Sequence, residues 1–279
     1  MSSSYPTTPY TPRHATWPYT PSDFTRQDPN PDPAFYRSPR FVTHIDDAAI
    51  ASLRDYYSSV LPTKGRILDF CSSWISHYPS SIEQAAQKGD LKITGMGMNA
   101  AELEANEVLN AGRLLVDLNE DADVEGNLRR HFSSPSSEQS SPSPTTTTTT
   151  TTTPLLDAST CVVSIDYLTR PLELLTSLRS ATKRGGTVHL VVSNRCFPTK
   201  VIRRWLRVDE EERLKMVGDY LHFAGWKGVE VVEVSDGRVD HDQGQEEGEG
   251  GLQALFRGMG MAAGGRRDPL WVVRGVNEG

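Results

Sequence analysis

Arg66-Ile67-Leu68-Asp69-Phe70-Cys71-Ser72-Ser73-Trp74 is a short apolar run that ends in an acid and opens into small residues. A nucleotide-binding α/β domain builds its first strand and ligand loop in this way, because a backbone with little side-chain bulk can approach a ligand closely. The loop nevertheless contains no glycine. Position argues for a cofactor loop, and composition for a buried strand end whose serines cap the next helix.

Working outward, Val42, Ile45, Ala48, Ile50, Leu53, Tyr57 and Val60 recur at helical spacing, and Pro62 with Gly65 ends that helix just before the run. Strands are expected at 66–71, 91–95, 114–118, 159–165, 187–193, 229–234 and 270–274. Helices are expected at 81–88, 100–110 and 171–183, and a longer helical region at 199–224. VHLVVS and CVVSI are nearly continuous apolar runs, as strands covered by helices on both faces require. The alternation predicts an α/β fold with a doubly wound, mostly parallel sheet. The last two strands lack a crossover helix, which predicts an antiparallel hairpin at the sheet edge.

The chain has 279 residues, a net charge of −7 and three cysteines, Cys71, Cys161 and Cys196. The acidic balance argues against a nucleic-acid or anionic-membrane surface. Widely spaced cysteines without paired motifs fit a reducing compartment, so a cytoplasmic location is expected. No apolar run is long enough to cross a bilayer and no metal-ligand spacing occurs. Residues 1–34, dense in Ser, Thr, Pro and Tyr, read as a disordered tail ahead of one domain at 35–279. Low-complexity insertions are expected at 133–154, which includes nine threonines from Thr145 to Thr153, and at 236–251. Lys200, Arg203, Arg204 and Arg207 share one side of the expected 199–224 helix and read as a solvated, salt-bridged face.

Several stretches together, FYRSPRFVTHIDD, RILDFCSSWISHYP, ITGMGMNAAEL, VDLN, VSIDYLTRP and SNRCFPTKVIRRW, resemble class I S-adenosylmethionine-dependent methyltransferase-like proteins of the type 11 superfamily. The resemblance covers roughly residues 35–226. It implies a seven-stranded Rossmann-like sheet, S-adenosyl-L-methionine as cofactor, and methyl transfer to an acceptor, small molecule or protein, that the sequence does not identify. It also implies roles for individual residues. Asp69 takes the acidic position of the first strand, with Cys71, Ser72 and Ser73 in the cofactor loop. Cys71, Ser73 and Ile75 stand where the pattern has glycines. Gly97 stands where the second strand would end in a ribose-binding acid, with Gly95 and Met98 beside it and Asn99 as a weaker hydrogen-bonding group or a helix cap. Asp117 and Leu118 fall at the adenine position, and Ser164 and Ile165 at the end of the fourth strand. Asp166 and Tyr167 are expected to line the pocket. His77, Tyr167, Asn194 and Arg195 are the candidate catalytic or substrate-orienting residues, with Trp74 on the rim.

Two rival readings stand beside this one. The absent glycines and ribose carboxylate are compatible with a degenerate domain that binds or scaffolds without catalysis. Gly95-Met96-Gly97-Met98-Asn99-Ala100 also fits the GxGxxA fingerprint of nicotinamide-dinucleotide sites, with Asp117 about 20 residues downstream, although it follows the second strand and not the first.

Overall fold

The computed structural model describes residues 5–133, 155–237 and 268–279. The insertion at 133–154, apart from Ser133, and that at 236–251, apart from Asp236 and Gly237, lie outside them. In chain order the elements are β1 (Thr7–Pro9), α1 (Asp32–Phe35), α2 (Asp47–Val60), β2 (Gly65–Phe70), α3 (Ser80–Gln87), β3 (Leu91–Gly97), α4 (Ala100–Ala105), β4 (Gly112–Leu115), α5 (Val124–Ser133), β5 (Leu156–Val162), α6 (Pro171–Ser180), β6 (Thr182–Ser193), α7 (Glu210–Phe223), β7 (Lys227–Ser235) and β8 (Leu270–Val276). They form one sheet in the order β1-β7-β8-β6-β5-β2-β3-β4. Strands β2 to β6 run parallel, and β8 is antiparallel to both β6 and β7. One core on each face of the sheet follows from the helices that cover it, with Leu68, Phe70 and Leu190 on one side and Ile67, Ile93 and Val191 on the other.

The expected antiparallel pair of final strands forms at one end of the sheet, with β8 between β6 and β7 and β1 added outside β7. Two expectations need correction. The third crossing, expected to hold only the threonine-rich insertion, contains α5. The long helix expected at 199–224 starts only at Glu210, where Asp209 caps it by accepting the Glu212 amide at 2.9 Å. Residues 199–204 are turns, because Lys200 is drawn into a fully buried site where it donates to the Asn30 carbonyl at 2.7 Å and pairs with Asp28 and Asp32. The basic patch is therefore not a solvated helical face.

Residues 5–34 of the expected disordered tail are built into the fold. β1 pairs antiparallel with β7, Thr7 opposite Val232, and supplies the eighth strand and one edge of the sheet. Pro9 is tolerated because that strand is an edge. Tyr10, Tyr19 and Arg13 all donate to the buried carboxylate of Asp219 on α7. Gly218 makes room for the Tyr10 ring, which a Cβ there would approach to 2.4 Å. Trp17 packs against Tyr19, Phe24, Tyr220 and Phe223. Aromatic packing and one charge-assisted cluster thus offset the chain entropy that composition alone leaves uncompensated.

Candidate functional site

A cavity of about 410 Å³ opens at the carboxyl ends of β2 to β6, the position where ligands bind open parallel sheets. Its walls come from the loop after β2, the β3–α4 and β4–α5 connections, the ends of β5 and β6, and residues 32–45 ahead of α2.

The β2 loop explains the missing glycines. Asp69 is 3 % exposed, and both its oxygens accept protein hydroxyls: Ser72 at 2.6 Å, Ser76 at 2.7 Å and Thr160 at 3.1 Å. Burial pushes its pKa up, against those three hydrogen bonds. Tyr78 extends the network to Thr160 at 2.7 Å, and the Asn106 side chain donates to Ser76 Oγ and to the Ser73 carbonyl. Cys71 keeps the left-handed backbone that a glycine would supply, at φ 55°. His77 (φ 56°) and Val163 (φ 41°) share that conformation, and all three line the cavity. A left-handed β-branched residue is strained and persists only where its surroundings impose it.

Gly97 explains the missing ribose carboxylate. A Cβ at this position would lie 2.2 Å from the Ser72 backbone carbonyl, so the β2 loop occupies the space an acid would need. From the β3–α4 connection the carboxylate that reaches the cavity is Glu102, which accepts Ser73 Oγ at 2.8 Å and the Arg40 amide at 2.7 Å. Residue-by-residue reading passed it over. Its spacing from the helix cap Asn99 suggests a capping box, yet its side chain is turned toward the loop. Asn99 is the cap, accepting from Ala101 and Glu102 and donating to the Tyr36 and Arg37 carbonyls.

On the opposite side, Asp117 and Leu118 line the cavity. Asp117 Oδ1 accepts the Asn119 amide at 3.0 Å, and desolvation raises the pKa of the half-buried carboxyl. The segment ahead of α2 adds Asp32, Tyr36, Arg40 and His44, none of them selected from sequence. Asp32 is fixed by Arg26 at 2.7 Å, and by Asn119 at 2.8 Å. No local pattern marks these residues, since Asp32 also meets Asn119 and Arg40 meets Glu102, both more than 60 residues away in the sequence.

Cys71, Ser72, Ser73, Trp74, Met98, Ser164 and Tyr167 also line the cavity. His77 is 6 % exposed with Nδ1 unpartnered, and burial together with nearby Arg54 and His44 lowers its pKa to about 4. It is neutral at pH 7. Arg195 reaches the cavity rim while donating to Asp268 at 2.9 Å. The Tyr167 hydroxyl accepts the Phe197 amide at 2.7 Å, and burial raises its pKa.

Four residues depart from expectation. Gly95 lies within β3, where Leu109 fills the space beside it, and does not reach the cavity. Ile165 is buried in the core because the turn after β5 points it inward. Asn194 is exposed and outside the cavity lining. Asp166 faces away, fully buried with Oδ2 unpartnered, and desolvation raises its pKa to about 8. The two glycines of the GxGxxA pattern are thus accounted for by packing within β3, without a phosphate.

No family model and no curated protein matches this chain. Solved structures similar to it include a SAM-dependent methyltransferase from Archaeoglobus fulgidus (13% identity, 82% of this chain and 93% of that one, TM-score 0.45). Phosphoethanolamine N-methyltransferase 2 of Haemonchus contortus is similar at 12% identity over 84% of this chain and 53% of that one, TM-score 0.44. A possible histamine N-methyltransferase from Thermotoga maritima follows at 16% identity, 82% and 89%, TM-score 0.43. The strand order itself defines the class: a Rossmann-like sheet of the class I methyltransferase type, extended by one N-terminal strand.

Proposed function

We propose that this chain binds S-adenosyl-L-methionine in the cavity and transfers its methyl group to an acceptor, a small molecule or a protein. The observation that supports this reading best is a cavity of about 410 Å³ at the carboxyl ends of the parallel strands, with a half-buried carboxylate, Asp117, on its wall. That volume falls in the roughly 300–1,000 Å³ range of small-molecule sites. The donor set fits in part. Cys71 reproduces the backbone turn of the first loop without glycine, and Asp117 offers an acceptor for an amino group. Glu102 is the carboxylate available to sugar hydroxyls, since Gly97 has no room for one. When bound, the sulfonium cofactor supplies an electrophilic methyl group, and the chain's own contribution is alignment of the reactants in the cavity. An intracellular, cytoplasmic location belongs to the same reading.

The second reading, a degenerate binding or scaffold domain, is favoured by Asp69, whose oxygens are already satisfied by three protein hydroxyls. Calorimetry with S-adenosylmethionine and S-adenosylhomocysteine separates the two. Binding at micromolar ligand supports the cofactor reading, and no heat at millimolar ligand overturns it.

A further inference from the structure

The three cysteines, far apart in sequence, converge on the cavity. Cys71 and Cys196 line it, and Cys71 packs against the core cluster that holds the buried Cys161. β2 and β5 pair in parallel with Asp69 opposite Thr160, so Cys161 lies one residue and Cys71 two residues beyond that pair, diagonal to each other across the end of β2. Neighbouring strands run roughly 4.8 Å apart, and disulfides span Cα separations of roughly 4.4–6.8 Å. The left-handed turn at Cys71 aims its side chain into the same core cluster that holds Cys161. Cys71 is half-buried and open to the cavity, whereas Cys161 is fully buried.

We propose that Cys71 and Cys161 form an oxidisable dithiol in the cavity wall, which a hydroperoxide entering the cavity converts to a disulfide. Cys71, as its thiolate, attacks one peroxide oxygen. The S–O bond forms as the O–O bond breaks, and the other oxygen leaves as water or an alcohol with the thiol's proton. The Cys71 sulfur loses two electrons and the peroxide gains them. Cys161 sulfur then attacks the sulfenic sulfur of Cys71; the S–S bond forms as the S–O bond breaks, and the hydroxyl departs as water with the Cys161 proton. Cys71 lines the cavity and Cys161 is fully buried, which assigns the first attack to Cys71; burial also raises the Cys161 thiol pKa. Cys196, on the cavity wall after β6, is the competing partner. The proposal holds whether or not the cavity takes the cofactor.

The test treats the reduced full chain with hydrogen peroxide, blocks remaining thiols and maps peptides without reduction. The expected product is one intramolecular link between the Cys71 and Cys161 peptides, with Cys196 free and the intact mass lower by two hydrogens. Cys196→Ser should leave that link unchanged. Cys161→Ala should abolish it and leave Cys71 as a sulfenic acid that dimedone traps. A Cys71–Cys196 link, or three free thiols at a peroxide dose that oxidises the urea-unfolded chain, overturns the proposal without recourse to any variant.

Discussion

Asp69 and Asp117 stand at the ends of neighbouring parts of one sheet, beside one cavity, and do different work. Asp69 is enclosed and its oxygens are spent on Ser72, Ser76 and Thr160. Asp117 is half-buried, braced by backbone amides, and faces open space. The difference teaches that a strand-end acid can be kept for the loop it organises and not for a ligand. In this molecule the glycine-poor loop is held by side-chain hydroxyls, and the Asp117 carboxylate stays open to the cavity.

The largest expected effect breaks the first member of the pair. Asp69→Ala leaves three buried hydroxyls without their acceptor, and urea denaturation should show a loss of about 3 kcal/mol or more. An unchanged midpoint would remove Asp69 from its organising role.

A second test concerns Asp166, the acid that turns away from the cavity. Its folded pKa of about 8 lies above the ordinary aspartate value of 3.8, so the folded state holds a proton that the unfolded state releases at neutral pH. This contribution is complete below about pH 4 and is lost as pH rises toward 8, at about 1.4 kcal/mol per pH unit. Between pH 5 and pH 7 the wild-type chain should therefore lose about 2.7 kcal/mol relative to Asp166→Asn. Parallel pH dependence of the two proteins would show that Asp166 is ionised in the folded state.

Gly97→Asp sharpens the comparison by restoring the carboxylate that the family pattern expects. Because the Ser72 carbonyl occupies that space, the variant should lose about 1–3 kcal/mol of stability and gain no affinity for S-adenosylhomocysteine. Tighter binding would mean that the β2 loop moves aside. The smallest structural disturbance is expected at Asp117→Ala. Its stability should change by under about 1 kcal/mol, while binding of S-adenosylhomocysteine by calorimetry weakens by about 1–3 kcal/mol. Unchanged binding would take the adenine role away from Asp117.

Much of the core fold was legible because its signals are local. Apolar runs such as VHLVVS mark strands buried on both faces, and Pro62 with Gly65 marks the end of α2. The tail was not legible: Tyr10 and Tyr19 lie among prolines and threonines, and their partner Asp219 is about 200 residues away. Lys200 likewise reads as a surface charge until Asp28 and Asp32 are brought around it. In the site, Cys71 and Asp117 could be placed by their distance from a strand end, whereas Glu102 and Arg40 could not.

The order of strands and helices, and the position of a ligand loop after β2, are determined by the sequence itself, because hydrophobic period and chain breakers act over a few residues. Which acid is sealed and which stays open, why Gly97 cannot carry a carboxylate, and how the distant Cys71 and Cys161 come to one core cluster were decided only by tertiary structure. Each depends on contacts between strands, where burial sets the cost of an unpaired polar group and a neighbour's carbonyl sets the space a side chain may fill.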